Sequence, residues 1–167
     1  MVTYRRANKQ YIGMTEEEVW SYLDSRSTMF VAFVREDGFP HVTPVWFVTA
    51  SRRIFLRGQA HKVKFRLAHS AKVCCSLEDG WRYSELRGLV VWGRASLVTD
   101  ATVIDRVQAL IDTKYAGRSW SRAEVPTEWA RQRATESRSY VEIEPEHVAS
   151  WDNTKLVAAR SGDGLCN

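Results

Sequence analysis

The chain has 167 residues, 44% apolar and 26% charged, enough for one domain with its own core and too apolar for a disordered, collagenous or low-complexity polymer. Lys and Arg number 24 against 20 Asp and Glu, and the resulting +4 favours an anionic partner without choosing one. The longest unbroken apolar runs, Phe30 to Val34 and Leu89 to Trp92, fall far short of the ~20 residues of a membrane helix.

In chain order, the first strong signal is Thr15 followed three residues later by Glu18, a capping box. Val19, Trp20 and Leu23 then share one apolar face, which predicts a helix from about Thr15 to Asp24. Beyond it the period changes. Thr28 to Arg35 reads as a strand, Glu36 to Gly38 as a turn and Phe39 to Thr49 as a second strand. Pro40 and Pro44 cannot donate to a ladder, so the second strand must have an edge, a bulge or an approach to its backbone by another group. A turn over Ala50 to Arg52 leads into a third strand, Arg53 to Arg57, completing an antiparallel meander.

Gly58 is expected to end that strand. Ala60, Val63 and Leu67 then recur at i, i+3 and i+7, predicting a helix from Gln59 to about His69. Ala71 to Leu77 is a strand, Glu78 to Arg82 a loop, and Leu86 to Val98 a long strand in which Gly88 and Gly93 mark bends or bulges. Asp100 is placed to cap a helix whose residues Val103, Ile104, Val107, Leu110 and Ile111 form one apolar stripe. A further helix is expected after Pro126, and a last strand from Ser139 to Ile143 ends near Trp151. Five long antiparallel strands and a sixth near the end, with helices between them, predict a mainly β (α+β) domain: a closed or nearly closed small barrel. It would fill residues 1–167 as a single domain with its core at about 14–155.

The charge is unevenly placed. From Gly38 to Leu77 there is no Asp or Glu, while Arg52, Arg53, Arg57, Lys62, Lys64, Arg66 and Lys72 fall inside. That window carries +7 and the remaining 127 residues carry −3. Arg57 and Gly58 stand where a strand gives way to a helix, and a helix N-terminus offers unpaired N–H groups to an anion. Arg57 would take a phosphate bidentately, with Lys62 or Lys64 as a point charge. No P-loop or dinucleotide glycine motif is present.

The remaining chemistry is sparse. Cys74 and Cys75 are adjacent and would point to opposite faces of a strand, and three cysteines with no signal core behind the N-terminus suit a reducing, cytoplasmic location. The four histidines match no zinc spacing, so no metal is expected. No catalytic triad or carboxylate pair is visible, and no catalytic residue is assigned. His41, on the second strand, is a proton donor at most.

Four segments together resemble the pyridoxamine 5′-phosphate oxidase-like superfamily, the flavin-binding split β-barrels. They are Gly38-Phe-Pro-His-Val-Thr-Pro-Val-Trp-Phe, Ile54-Phe-Leu-Arg57 with Lys62-Val-Lys64, Val90-Val-Trp-Gly93-Arg-Ala-Ser-Leu-Val, and Val141-Glu-Ile-Glu-Pro145 running on to Trp151-Asp. The resemblance implies a six-stranded antiparallel split β-barrel of Greek-key type, and a homodimer with FMN, or the deazaflavin coenzyme F-420, bound at the subunit interface. It implies Arg57, Gly58 and Lys62 or Lys64 at the cofactor phosphate, and Thr43, Pro44, Val45 and Trp46 along the ring system. Trp92 would lie near the cofactor and Trp151 would close over it. The Arg- and His-rich substrate segment of the true vitamin B6 oxidase has no counterpart after Trp151, so that activity is not expected. The expected function is hydride transfer to or from a small organic substrate. The alternatives are a deazaflavin-dependent reductase and a non-catalytic binder of a tetrapyrrole or of nucleic acid, the last disfavoured because the basic residues cluster rather than track a groove.

Overall fold

A computed structural model of the protein describes residues 2–6, 12–59, 71–118, 126–128 and 138–156. The meander appears as expected, with β2 (Thr28–Val34), β3 (Pro40–Ala50) and β4 (Arg53–Gln59) joined in sequence. β5 (Lys72–Asp79) returns to pair with β2, β6 (Arg87–Leu97) pairs with β5, and β7 (Arg138–Asp152) lies between β6 and β4. All six pairings are antiparallel and close a ring, and β5 lying beside β2 makes the Greek key. The order of hydrophobic runs therefore predicts these six strands and a closed or nearly closed barrel.

The register explains the core. Met29 and Val31 of β2, Ile54 of β4, Cys75 and Leu77 of β5, Leu89 and Val91 of β6, and Ile143 of β7 are buried in one cluster inside the barrel. Helix α1 (Glu16–Ser25) plugs one end with Val19, Trp20, Tyr22 and Leu23. Its capping box is formed as predicted: the Thr15 hydroxyl accepts from Glu18 N, and the Glu18 carboxylate accepts from Thr15 N at 2.7 Å. Helix α2 (Ala101–Lys114) is capped by Asp100, which accepts from the N–H groups of Thr102 and Val103. Its Val107 and Ile111 pack with Tyr115 on the outside of the barrel, against Val48 and Phe55. Phe47 and Val48 are consecutive yet both buried, because Phe47 joins the barrel core and Val48 the α2 cluster.

Several boundaries differ from the sequence expectation. Gly58 does not end β4: the strand runs through Gly58 and Gln59, paired with Ser139 and Arg138 of β7. Glu78 and Asp79 belong to β5 rather than to the loop, since Gly88 and Arg87 pair with them. β7 is one strand of 15 residues that passes through Pro145. The ladder shifts register between Trp92 and Gly93, so Glu146 is the additional residue of a bulge at a predicted glycine. A four-residue strand β1 (Thr3–Arg6) was not legible at all. It is polar, without alternation, and is held by parallel pairing with β7 at His147 to Ser150. The predicted helix from Gln59 to His69 lies, apart from Gln59 itself, outside the described residues, as does most of the one after Pro126.

Candidate functional site

The barrel is split between β3 and β4. Their ladder covers only Phe47–Ala50 against Arg53–Leu56. Below it β3 continues from Trp46 back to Pro40 with β2 as partner, and β4 continues over Arg57, Gly58 and Gln59 with β7 as partner. The facing edges of these two stretches carry no ladder between them. Proline at 40 and 44 suits such an edge, because a residue without an N–H leaves no donor unpaired there.

This split brings the predicted residues together. Leu56 pairs with Phe47, so the next positions, Arg57 and Trp46, face each other across the mouth of the notch, on the outer face of the barrel shared with Phe55 and Val48. Thr43, Pro44 and Val45 follow along the same lip. Pro44 and Trp46 are exposed, whereas Thr43 and Val45 are half-buried on the other face. Gly58 lies one position beyond Arg57 on the opposite lip. Lys62 and Lys64 lie outside the described residues.

Both lips are tied to α2. The Arg57 Nη1 donates to Gln108 Oε1 at 2.9 Å, the Tyr140 hydroxyl donates to the same oxygen, and Gln108 Nε2 donates to Asp112 at 2.6 Å. On the other lip the Trp46 ring stacks on Tyr115 with centroids 4.3 Å apart and planes 1° from parallel. The Tyr115 oxygen accepts from Phe47 N at 2.9 Å and lies 2.7 Å from both Phe47 O and Ser27 O, bonding to the β3 backbone just past the end of the β2 ladder. Burial raises the phenol's pKa, opposed by its bond to Phe47 and by the charge of Arg118, so it stays a protonated donor at neutral pH.

The tertiary fold also redistributes the basic window. Arg52 reaches Glu16 of α1, and Arg53 reaches Glu144 at 2.9 Å and Glu142 at 3.5 Å. The acids missing from the window in sequence are supplied by α1 and β7. Arg57 has no carboxylate within ion-pair distance among the described residues; its bond to neutral Gln108 leaves its full charge and most of its donors at the notch.

Other residues singled out in the sequence lie elsewhere. His41 packs against Phe33, ring centroids 4.9 Å apart, on the face of β3 opposite to Trp46. Trp151 lies against Gly88 of β6, eleven positions along β7 from the Tyr140 that pairs with Arg57, so it does not close over the notch. Trp92 is exposed beside Cys74 on the outer face, while Cys75 points into the core, confirming the opposed cysteines. Among the described residues no group of three His, Cys, Asp or Glu side chains is placed to hold a metal, and no helix is long and apolar enough to cross a membrane.

A second cluster gives no signal in the sequence. The Tyr22 hydroxyl donates to Asp79 at 2.7 Å, Arg26 and Arg87 both reach the Asp79 carboxylate, and both guanidiniums lie over the Tyr22 ring. Burial opposes the Asp79 charge, but the Tyr22 hydrogen bond and the two guanidiniums prevail and hold its pKa below the usual value. Tyr22, Arg26 and Arg87 border an open cleft of about 610 Å³ beside α1. Asp79 is occupied by the arginines and Glu18 by Lys155, so the cluster ties α1 to β5 and β6.

Residues 15–150 match the profile of the family described as Pyridoxamine 5′-phosphate oxidase. No curated protein matches the sequence. Among solved structures, a conserved hypothetical protein from Mycobacterium tuberculosis is similar over 96% of this chain and 94% of its own, at 26% identity and a TM-score of 0.75. The FAD binding protein from Mycobacterium smegmatis shares the fold at 17% identity and a TM-score of 0.59, over 84% of this chain and 98% of its own. The haem storage protein from Vibrio cholerae shares it at 17% identity and a TM-score of 0.59, over 78% of this chain and 89% of its own. With six antiparallel strands closed into a barrel that splits between β3 and β4, and a profile match spanning most of its length, the chain belongs to the pyridoxamine 5′-phosphate oxidase family.

Proposed function

We propose that the protein binds a phosphorylated flavin, FMN, at the β3–β4 notch and acts as an oxidoreductase on a small organic substrate. The observation that carries this reading is the placement of Arg57, with no carboxylate paired to it among the described residues, directly across the notch from the exposed Trp46. The donor set fits the group: a guanidinium for a phosphate at one lip, and an aromatic face with an unpaired strand edge for a planar polar ring at the other. Lys62 or Lys64 would add a second positive charge. When bound, the flavin supplies the hydride chemistry. The chain supplies the phosphate anchor at Arg57, the orientation of the ring along Thr43 to Trp46, and apolar walls that limit water.

The same reading includes a homodimer. Phe30 (52% exposed), Val34 (51%), Val42 (57%) and Trp92 (43%) lie on adjacent strands of one outer face. The register joins them: Pro44–Phe30–Ser76 and Val42–Ala32–Cys74–Trp92 run across β3, β2, β5 and, for the latter, β6. This apolar strip borders the notch and has no charged residue at its centre. An exposed face of this kind favours association, and a second copy seated on it would wall the open side of each notch.

The purified protein's visible spectrum, followed by separate titrations with FMN, coenzyme F-420 and haem, tests the reading. Flavin absorbance or saturable FMN binding supports it. Tight binding of F-420 alone moves the assignment to a deazaflavin-dependent reductase. A Soret band with no flavin binding identifies a haem binder and overturns it.

A further inference from the structure

We infer that Gln108 of α2 and Tyr115, seven residues on at the C-terminal cap of that helix, are positioning residues that set the two lips of the notch as one unit. The inference rests on the flavin reading above and adds to it two residues from outside every segment that carried the family resemblance. Each residue is bonded to a different lip. Gln108 accepts from Arg57, and the Tyr140 hydroxyl and Asp112 carboxylate fix its amide, so one guanidinium N–H is committed to the helix and the rest of the fork is held toward the notch. Tyr115 backs the Trp46 ring in parallel contact, and its oxygen is anchored by Phe47 N, Phe47 O and Ser27 O. Trp46 therefore cannot rotate toward α2, and its opposite face stays open.

The division of labour follows from chemistry. Gln108 is neutral, so it orients Arg57 without cancelling its charge. A carboxylate in its place would keep the hydrogen bond and form an ion pair that competes with a ligand phosphate. Gln108 thus governs selection for the phosphate, and Tyr115 governs the ring. Between the two lies Ile111, one turn from each, buried against the sheet with Val48 and Phe55. It holds the helix down, and it touches no ligand lip through a polar bond.

The experiment compares FMN with riboflavin, which carries the same ring without the phosphate, in wild type, Gln108→Glu, Tyr115→Leu and Ile111→Val. Gln108→Glu is expected to lower the affinity ratio of FMN to riboflavin by about tenfold, the effect growing at low salt. Tyr115→Leu is expected to weaken both ligands by a similar factor and to change the visible circular dichroism of bound flavin, leaving the ratio intact. Ile111→Val controls for loss of helix packing and should move melting temperature but neither affinity nor ratio. An unchanged ratio in folded Gln108→Glu, or unchanged riboflavin affinity and dichroism in folded Tyr115→Leu, overturns the assignment. So does an Ile111→Val variant that reproduces either effect. Wild type that binds neither flavin fails at an earlier step and overturns the flavin reading itself, and this assignment with it.

Discussion

Gly88 on β6 stands directly opposite Trp151 on β7, and a β-carbon at Gly88 would overlap the six-membered ring of the indole as well as crowd Leu77 O. The absence of a side chain at 88 is what lets the end of β7 lie flat on β6. Gly88→Ala is expected to destabilise the fold by about 2 kcal/mol through overpacking, seen as a lower urea midpoint with an unchanged slope. Trp151→Leu in the same background should recover part of that loss, since it removes the obstructing ring.

Arg57 offers a cleaner functional test than Arg52 or Arg53, because those two are engaged by Glu16, Glu142 and Glu144. Arg57→Gln is expected to weaken FMN binding by about 10- to 100-fold, the range of a charge-assisted hydrogen bond. Arg53→Gln should change it by less than about threefold. Equilibrium titration monitored by flavin fluorescence distinguishes them, and equal effects would argue for a diffuse field rather than a placed phosphate.

The apolar strip of Phe30, Val42 and Trp92 should be covered in solution. Sedimentation of wild type at micromolar concentration is expected to give a dimer, and Phe30→Glu with Val42→Glu a folded monomer, because two like charges facing their symmetry mates would be desolvated at the contact. A wild-type monomer would contradict the shared-notch arrangement.

Burial raises the Cys75 thiol to about 12, with the neighbouring Cys74 adding a smaller effect in the same direction. The unfolded thiol ionises near its ordinary value of 9.0, so between pH 9 and 12 the folded state binds more protons than the unfolded one. Stability is therefore lost as pH rises through that range. Cys75→Ala should cost about 1 kcal/mol at pH 7 yet flatten the decline measured by denaturant titration above pH 9.

Lys114 has the opposite sign. Its ammonium lies 4.2 Å from the centroid of the Phe47 ring and has no hydrogen-bond partner among the described residues. Burial lowers its pKa, outweighing the attraction of Asp24, so the penalty is fully present below the folded pKa and vanishes as pH rises to the ordinary value of 10.5. Lys114→Met is expected to raise stability at pH 7 by about 0.5 kcal/mol, solvent access to the half-buried chain screening the rest. The gain should shrink toward pH 10.

The candidate site was legible in part for a physical reason. Prolines 40 and 44 marked an edge, a bulge or an approach to the strand's backbone because a residue without an N–H is rarely placed in a closed ladder, and Arg57 beside Gly58 stood out because no acid was near it in sequence. Gln108 and Tyr115 gave no such signal. A glutamine on the polar shoulder of an amphipathic stripe and a tyrosine at a helix end have ordinary local explanations, and their partners lie 51 and 69 residues away at Arg57 and Trp46.

Read alone, the sequence carries the succession of strands along the chain, the caps of α1 and α2, a bend or bulge position at Gly93 and the opposed faces of Cys74 and Cys75. These depend on periodicity, turn residues and capping side chains, which act within a few residues of one another. Only the tertiary structure decided how far β4 runs past Gly58, that β1 adds to β7, and that Trp151 packs on Gly88 away from the notch. The same holds for the charge. The +7 window is continuous along the chain, but α1 and β7 bring carboxylates to Arg52 and Arg53 and leave Arg57 without one among the described residues. Electrostatics acts through space, so where the charge remains is settled by packing and not by order along the chain.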